Sequence, residues 1–150
     1  MPGLPDVHYD TKLTTALDYA SASADRNGAG LDMRGYAGVR AIVKFAAIAA
    51  GAVTSIKLQQ SDDDGGSDAY SDIEGSAMTV AADDDDQIFA TTLVNPQKRY
   101  VRVVVDKDAS NATAEMAIYE QFRPERWPTT PDLTDEVTTE HLHSPDEGTA

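Results

Sequence analysis

Apolar and polar residues alternate with a period of two through most of the chain between Leu31 and Phe122, the pattern of strands with one buried and one wet face. In Ser55 to Gly75, SIKLQQSDDDGGSDAYSDIEG, Ile56 and Leu58 alternate with Lys57 and Gln59. The run SDDDGGSD stops that pattern, and Tyr70, Asp72 and Ile73 resume it. Aspartates and paired glycines tolerate the positive φ of a tight reversal, so the segment predicts a hairpin. Tyr36 to Ile48 carries Val39, Ala41, Val43 and Phe45 on one parity and Arg40, Ile42 and Lys44 on the other. Its alanines would also suit a helix, but the β-branched Val39, Ile42, Val43 and Ile48 favour a strand, as do the bracketing Gly38 and Gly51. A strand over Val53 to Gln60 follows at once, which predicts a hairpin through the corner Ala49-Ala50-Gly51-Ala52.

Further strands are expected over Leu31 to Met33, Ala69 to Ile73, Met78 to Val80, Ile88 to Val94, Arg99 to Asp106 and Ala114 to Phe122. In RYVRVVVD, the row Val101, Val103, Val105 should face the core. In ATAEMAIYEQF, Met116, Ile118 and Glu120 alternate with Glu115, Ala117, Tyr119 and Gln121, so either face could point inward. Asn95 to Lys98 and Asp106 to Asn111 read as turns. The chain is therefore expected to be all-β: a single β-sandwich or jelly-roll-like domain of seven to eight strands, with a barrel as the other closed solution.

Both flanks break the pattern. Residues 1–30 show little periodicity and include SASADRNGAG, which reads as an arm or loop; a helix around Leu13 to Ala24 would have poor apolar spacing. Residues 123–150 hold Pro124, Pro128, Pro131 and Pro145 and only scattered apolar groups, too few for a core. The division is thus an N-terminal arm over 1–30, a sandwich over 31–122 and an acidic, proline-rich arm over 123–150 that is ordered only where it lies on a neighbour. Trp127 is its natural anchor, either as a plug in an interface or as a cap on its own sandwich.

One hundred and fifty residues suit one folded unit, and the absence of cysteine excludes disulfides and thiolate metal sites. A formal charge of −14 argues against contact with DNA or RNA, whose binders replace counterions with Lys and Arg. Ser61 to Asp86 carries ten carboxylates and no basic residue (Asp62, Asp63, Asp64, Asp68, Asp72, Glu74, Asp83, Asp84, Asp85, Asp86), a solvated surface or an adaptation to a salty habitat. The alanine-rich stretch Phe45 to Val53 is too short to span a membrane, and MPGLPDVHYD does not read as a secretory leader. No membrane partner is expected.

Enzymatic motifs are missing: no GxSxG elbow, phosphate loop, HExxH or dinucleotide fingerprint occurs. His8, His141 and His143 sit in the flanks, and the His141-x-His143 pair is a spacing that arises readily by chance. Aromatics are too scattered to line a sugar-cleaving cleft. DDDGGSDAYSD cannot be placed on an EF-hand loop, which leaves Asp62, Asp64 and Asp68 as candidates for a less regular calcium site and a polar turn as the plainer role. The expectation is a protein without catalysis and without a cofactor.

The order GLDMRGYAGVRAIVKFAAIAAGAVTSIKLQQSDDDGGSDAYSDIEG resembles small head decoration, or cement, proteins of tailed bacteriophages. It runs through a short strand, a Gly-Tyr approach, an alternating strand, then a strand ending in Ser-Asp-Asp with an aromatic-x-Asp-Ile behind it. The likeness covers roughly Leu31 to Phe122; the long runs Asp62 to Asp64 and Asp83 to Asp86 fall outside the pattern. It implies a β-sandwich subunit, commonly in homotrimers, seated on the outer surface of a virion and bridging neighbouring capsomers of the major capsid protein, with no catalytic residues. On that footing the arms grip the shell, and Arg123, Arg126 and Trp127 are the expected contact residues. Two other classes use the same fold: a tail or glycan-binding appendage, for which only Tyr70 offers a loop aromatic, and a calcium-stabilised surface domain.

Overall fold

A computed structural model describes residues 6–49, 55–108, 111–129, 137–142 and 148. Ten strands form two antiparallel sheets: β1 (Thr11–Ala22), β2 (Arg26–Asn27), β3 (Leu31–Asp32), β4 (Tyr36–Phe45), β5 (Ser55–Ser61), β6 (Ser71–Asp72), β7 (Met78–Thr79), β8 (Ile88–Val94), β9 (Tyr100–Asp106) and β10 (Thr113–Pro124). The one helical element among the described residues is a single turn, α1 (Val7–Asp10). The first sheet runs β1-β10-β4-β8; the second runs β2-β9-β5-β6, with β3 also on β9 and β7 also on β5. This is a β-sandwich, as the alternation predicts. No described helix is long and apolar enough to cross a membrane.

The alternating rows meet between the sheets. Val39, Ala41, Val43 and Phe45 of β4 are at most 2% exposed, and Val101, Val103 and Val105 of β9 at most 1%. They pack with Ile56 and Leu58 of β5, Leu17 of β1, and Ala117 and Tyr119 of β10. The open choice in β10 resolves toward Glu115, Ala117, Tyr119 and Gln121, all buried. That face carries two polar groups, and each has partners: Gln121 donates to the Asp32 carbonyl at 3.0 Å. Glu115 sits in a buried ion network described below.

Three expectations are corrected. Thr11 to Ala22 is neither arm nor helix: it is a twelve-residue strand paired with β10, and Arg26–Asn27 adds another on β9. Register shifts between Thr15 and Leu17 and again between Leu17 and Ala20 break its period of two. β4 and β5 form no hairpin, because they lie in opposite sheets; of the predicted corner, residues 50–52 lie outside the described residues. β10 runs on to Pro124, two residues past the expected boundary at Phe122. The hairpin of Ser55 to Gly75 does form, with Gln59 opposite Asp72 and Gln60 opposite Ser71.

Candidate functional site

The strand registers place Thr11, Tyr36, Ser61, Val94, Tyr100 and Pro124 at one end of the sandwich. The run Asp83 to Asp86 precedes β8 and so lies at the other. At the first end both flanks of the chain come together. Asp6 caps the α1 turn by accepting from the His8 N–H at 3.0 Å, and the Thr11 hydroxyl donates to the Val7 carbonyl at 2.7 Å. Near the end of β10 the backbone bends at Arg123, whose φ is +52°, and beyond it the Glu125 N–H donates to the Gly35 carbonyl at 2.8 Å. Thr129 then ties the segment down: its N–H donates to the Tyr9 carbonyl at 2.9 Å, while its hydroxyl lies 3.0 Å from the Tyr9 and Thr11 carbonyls. Trp127 meets Tyr9 edge to face at 5.7 Å, the ring of His141 stacks on His8 at 4.9 Å, and His141 Nε2 lies 2.9 Å from Asp6.

The segment 123–129 is therefore ordered on this chain's own N-terminal turn, which corrects the expectation that it needs a neighbour. Residues 130–136, 143–147 and 149–150 of the expected arm, His143 among them, lie outside the described residues.

Arg123, Arg126 and Trp127 are all exposed, Trp127 by 60% even with Tyr9 against it. Arg126 lines a groove of about 750 Å³ together with Lys12, Arg34, Tyr36 and Glu125; Arg123 and Trp127 do not line it. No ion pair joins Arg123 or Arg126 to another described residue. Arg34 is paired with Asp32 at 2.9 Å, yet its side chain is 69% exposed. The same carboxylate takes Arg99 at 2.8 and 3.2 Å. Those guanidinium bonds, Arg99 first, hold Asp32 well below the usual carboxylate range against the opposing effect of burial. On a chain of net charge −14, this end thus carries exposed guanidinium groups and an aromatic pair. Such a surface can dock against a carboxylate-bearing protein face.

The calcium candidates have another role. Asp68 accepts from Lys98 Nζ at 2.6 Å and from the Asp62 N–H at 2.8 Å, and Asp64 accepts from the Tyr70 hydroxyl at 2.6 Å. Asp63, between them, takes the N–H groups of Ser67 and Asp68 at 2.6 and 3.0 Å, bonds that lower its pKa. Lys98 lowers that of Asp68. Ser61, fully buried, donates to the Asp68 carbonyl and accepts from the Gly65 N–H. The loop folds around its own carboxylates, and no group of three or more His, Cys, Asp or Glu side chains among the described residues could hold a metal. Tyr70 is half-buried beneath the Arg102 guanidinium, 4.1 Å from the ring centroid, so it is no free platform for a sugar.

No family model matches the chain, and no curated protein matches its sequence. Solved structures similar to the chain include the following two. "PBSX exported protein XepA" superposes with a TM-score of 0.53 at 15% identity, over 95% of this chain and 47% of XepA. The chain spans about half the length of that protein. "Dimeric latent PorU from Porphyromonas gingivalis" overlays at a TM-score of 0.43 and 13% identity, over 78% of this chain and 13% of PorU. At this identity the XepA likeness establishes the two-sheet fold.

Proposed function

We propose that this chain is a structural virion protein of a tailed bacteriophage that binds the outer surface of the capsid and stabilises the shell by bridging neighbouring capsomers, without catalysis. The observation that carries the reading is the end where both flanks converge, with Trp127, Arg123, Arg126 and Arg34 exposed on a strongly acidic molecule. The resemblance of Leu31 to Phe122 to decoration proteins supports it, as does the fold shared with a protein of the PBSX phage. A clamp of this kind stabilises by mass action, since it binds the assembled lattice and not free subunits. Several modest contacts from one subunit, or from three in a homotrimer, combine into firm attachment. The acidic run Asp83 to Asp86, at the far end, then faces away from the shell.

The expected result is co-sedimentation of the purified protein with capsids lacking it, and a rise in shell melting temperature. A double change, Arg126→Glu with Trp127→Ala, should lower the affinity at least tenfold, the loss expected of one contact worth about 1.4 kcal/mol. Absence of co-sedimentation, or binding untouched by the double change, overturns the proposal. The XepA likeness favours a second reading, a phage module exported from the cell and free of the capsid. A protein that is secreted and ignores capsids would establish that reading instead.

A further inference from the structure

Among the described residues four sheet edges end the sandwich, and three are guarded. The second sheet ends in the two-residue strands β2, β3, β6 and β7, too short to template another strand. β1 is twisted by two register shifts, and its start is flanked by Thr129. β8, IFATTLV, differs: seven residues in unbroken register with β4, no charge, no proline, no bulge, and no partner on its outer side among the described residues.

The bonds Phe45 N–H to Gln87 carbonyl and Asn95 N–H to Ala37 carbonyl show that the odd-numbered positions turn their backbone groups toward β4. By alternation, Ile88, Ala90, Thr92 and Val94 turn theirs to the open edge. The same residues hold the solvent side of the sheet, with Ile88 65% and Val94 48% exposed.

We infer that β8 pairs antiparallel with β8 of a second copy of this chain, about a two-fold axis through Thr91. This goes beyond the capsid reading and does not depend on it. In that register Ile88 lies opposite Val94 of the other copy and Ala90 opposite Thr92, so the outward-turned N–H and C=O groups bond reciprocally. The strand is close to self-complementary read backwards: branched aliphatics at both ends, Phe89 against Leu93, and threonine at the centre. Charge selects the direction. An antiparallel pair sets Asp83 to Asp86 of one copy beside the turn Asn95 to Lys98 of the other, whereas a parallel pair would set the two aspartate runs side by side. In a trimeric assembly this contact joins one trimer to the next.

The chain has no cysteine, so Thr91→Cys supplies one thiol per subunit. Facing its twin across the axis in a non-hydrogen-bonded pair, with Cα atoms about 4.5 Å apart, it should form an intermolecular disulfide under mild oxidation. Thr92→Cys, displaced from the axis, should not. Light scattering at micromolar concentration should give twice the 16.1 kDa chain mass or an even multiple of it. Thr92→Pro removes an N–H that points away from β4, and it should halve the particle mass while leaving the circular dichroism of the sandwich unchanged. Should Thr92→Pro fail to fold, the cross-link still decides. A monomer, a trimer without the Thr91→Cys cross-link, or equal cross-linking at Thr91 and Thr92 overturns the inference.

Discussion

Tyr119 does what no apolar residue could at its position. Its ring is fully buried in the first sheet, and its hydroxyl crosses the core to the second, donating to the Ala29 carbonyl at 2.8 Å and accepting from the Val103 N–H at 3.0 Å. Between β2 and β3 the chain leaves β9, so that N–H has no strand opposite it, and Tyr119 supplies the missing partner. Gly28 is required beside it: a Cβ there would lie 2.7 Å from the hydroxyl and 2.9 Å from Val103 Cγ1. Burial pushes the Tyr119 pKa up, so the phenol stays a donor throughout the working range. Tyr119→Phe leaves the buried Val103 N–H unpaired and takes a partner from the Ala29 carbonyl, and should cost about 1–3 kcal/mol, read as a lower denaturant midpoint at unchanged slope. The alternation in ATAEMAIYEQF reveals which side chains share a face with Tyr119. It does not reveal the gap in the opposite sheet that the hydroxyl fills, because that gap belongs to residues ninety positions away.

Among the elements, β10 is held by ions as well as by its ladders. Lys107 and Glu115, both with fully buried side chains, pair at 2.6 Å, and Arg26 completes the set at 2.9 Å from the other carboxylate oxygen. Lys107 also reaches the carbonyls of Ala22 and Thr113, and Arg26 those of Asp18, Ala20 and Glu115. The irregular end of β1 is thereby pinned through its carbonyls where its ladder to β10 is broken. Glu115→Ala strands the buried Lys107 and the partly buried Arg26 and should cost about 3–5 kcal/mol, whereas replacing Arg26, Glu115 and Lys107 together by Met, Leu and Met should cost far less. Thermal unfolding of both variants makes the comparison. The regular strands were readable because an apolar row of period two runs through each. β1 was not, since its bulges reset the parity twice and its edge is stabilised by cations that read, in sequence, as loop residues. Of the proposed contact surface, Arg123, Arg126 and Trp127 were legible as exposed groups in a proline-rich stretch. Lys12 and Arg34, which line the groove with Arg126, come from segments that only the fold brings near.

Across the whole molecule, two electrostatic effects oppose each other as the solution is acidified. The net charge of −14 at neutrality disfavours the compact state, and protonating unpaired carboxylates relieves that repulsion down to the isoelectric point near 4.3. Asp32, Asp63, Asp68 and Asp72 work the other way. Each has a folded pKa below the ordinary 3.8, so each stabilises the fold above that value and ceases to as the pH falls through its lowered one. Melting temperature should therefore hold or rise from pH 7 to about 4.3 and drop steeply below about 3.8. Asp32→Asn, which loses the paired charge, should flatten the acid limb. A melting temperature that falls steadily from pH 7 downward would contradict this balance.

The order of strands also governs how the molecule comes into being. β10 lies between β1 and β4, and β9 lies between β5 and the pair β2 and β3, so the centre of each sheet is the last part of it to leave the ribosome. A nascent chain holds β1 with no neighbour, and the inner edges of β4 and β5 open, until the final two strands emerge and slot between them. Both layers thus close only once β9 and β10 have emerged, and a chain cut short before β9 leaves bare β edges that any proteolytic quality control can seize.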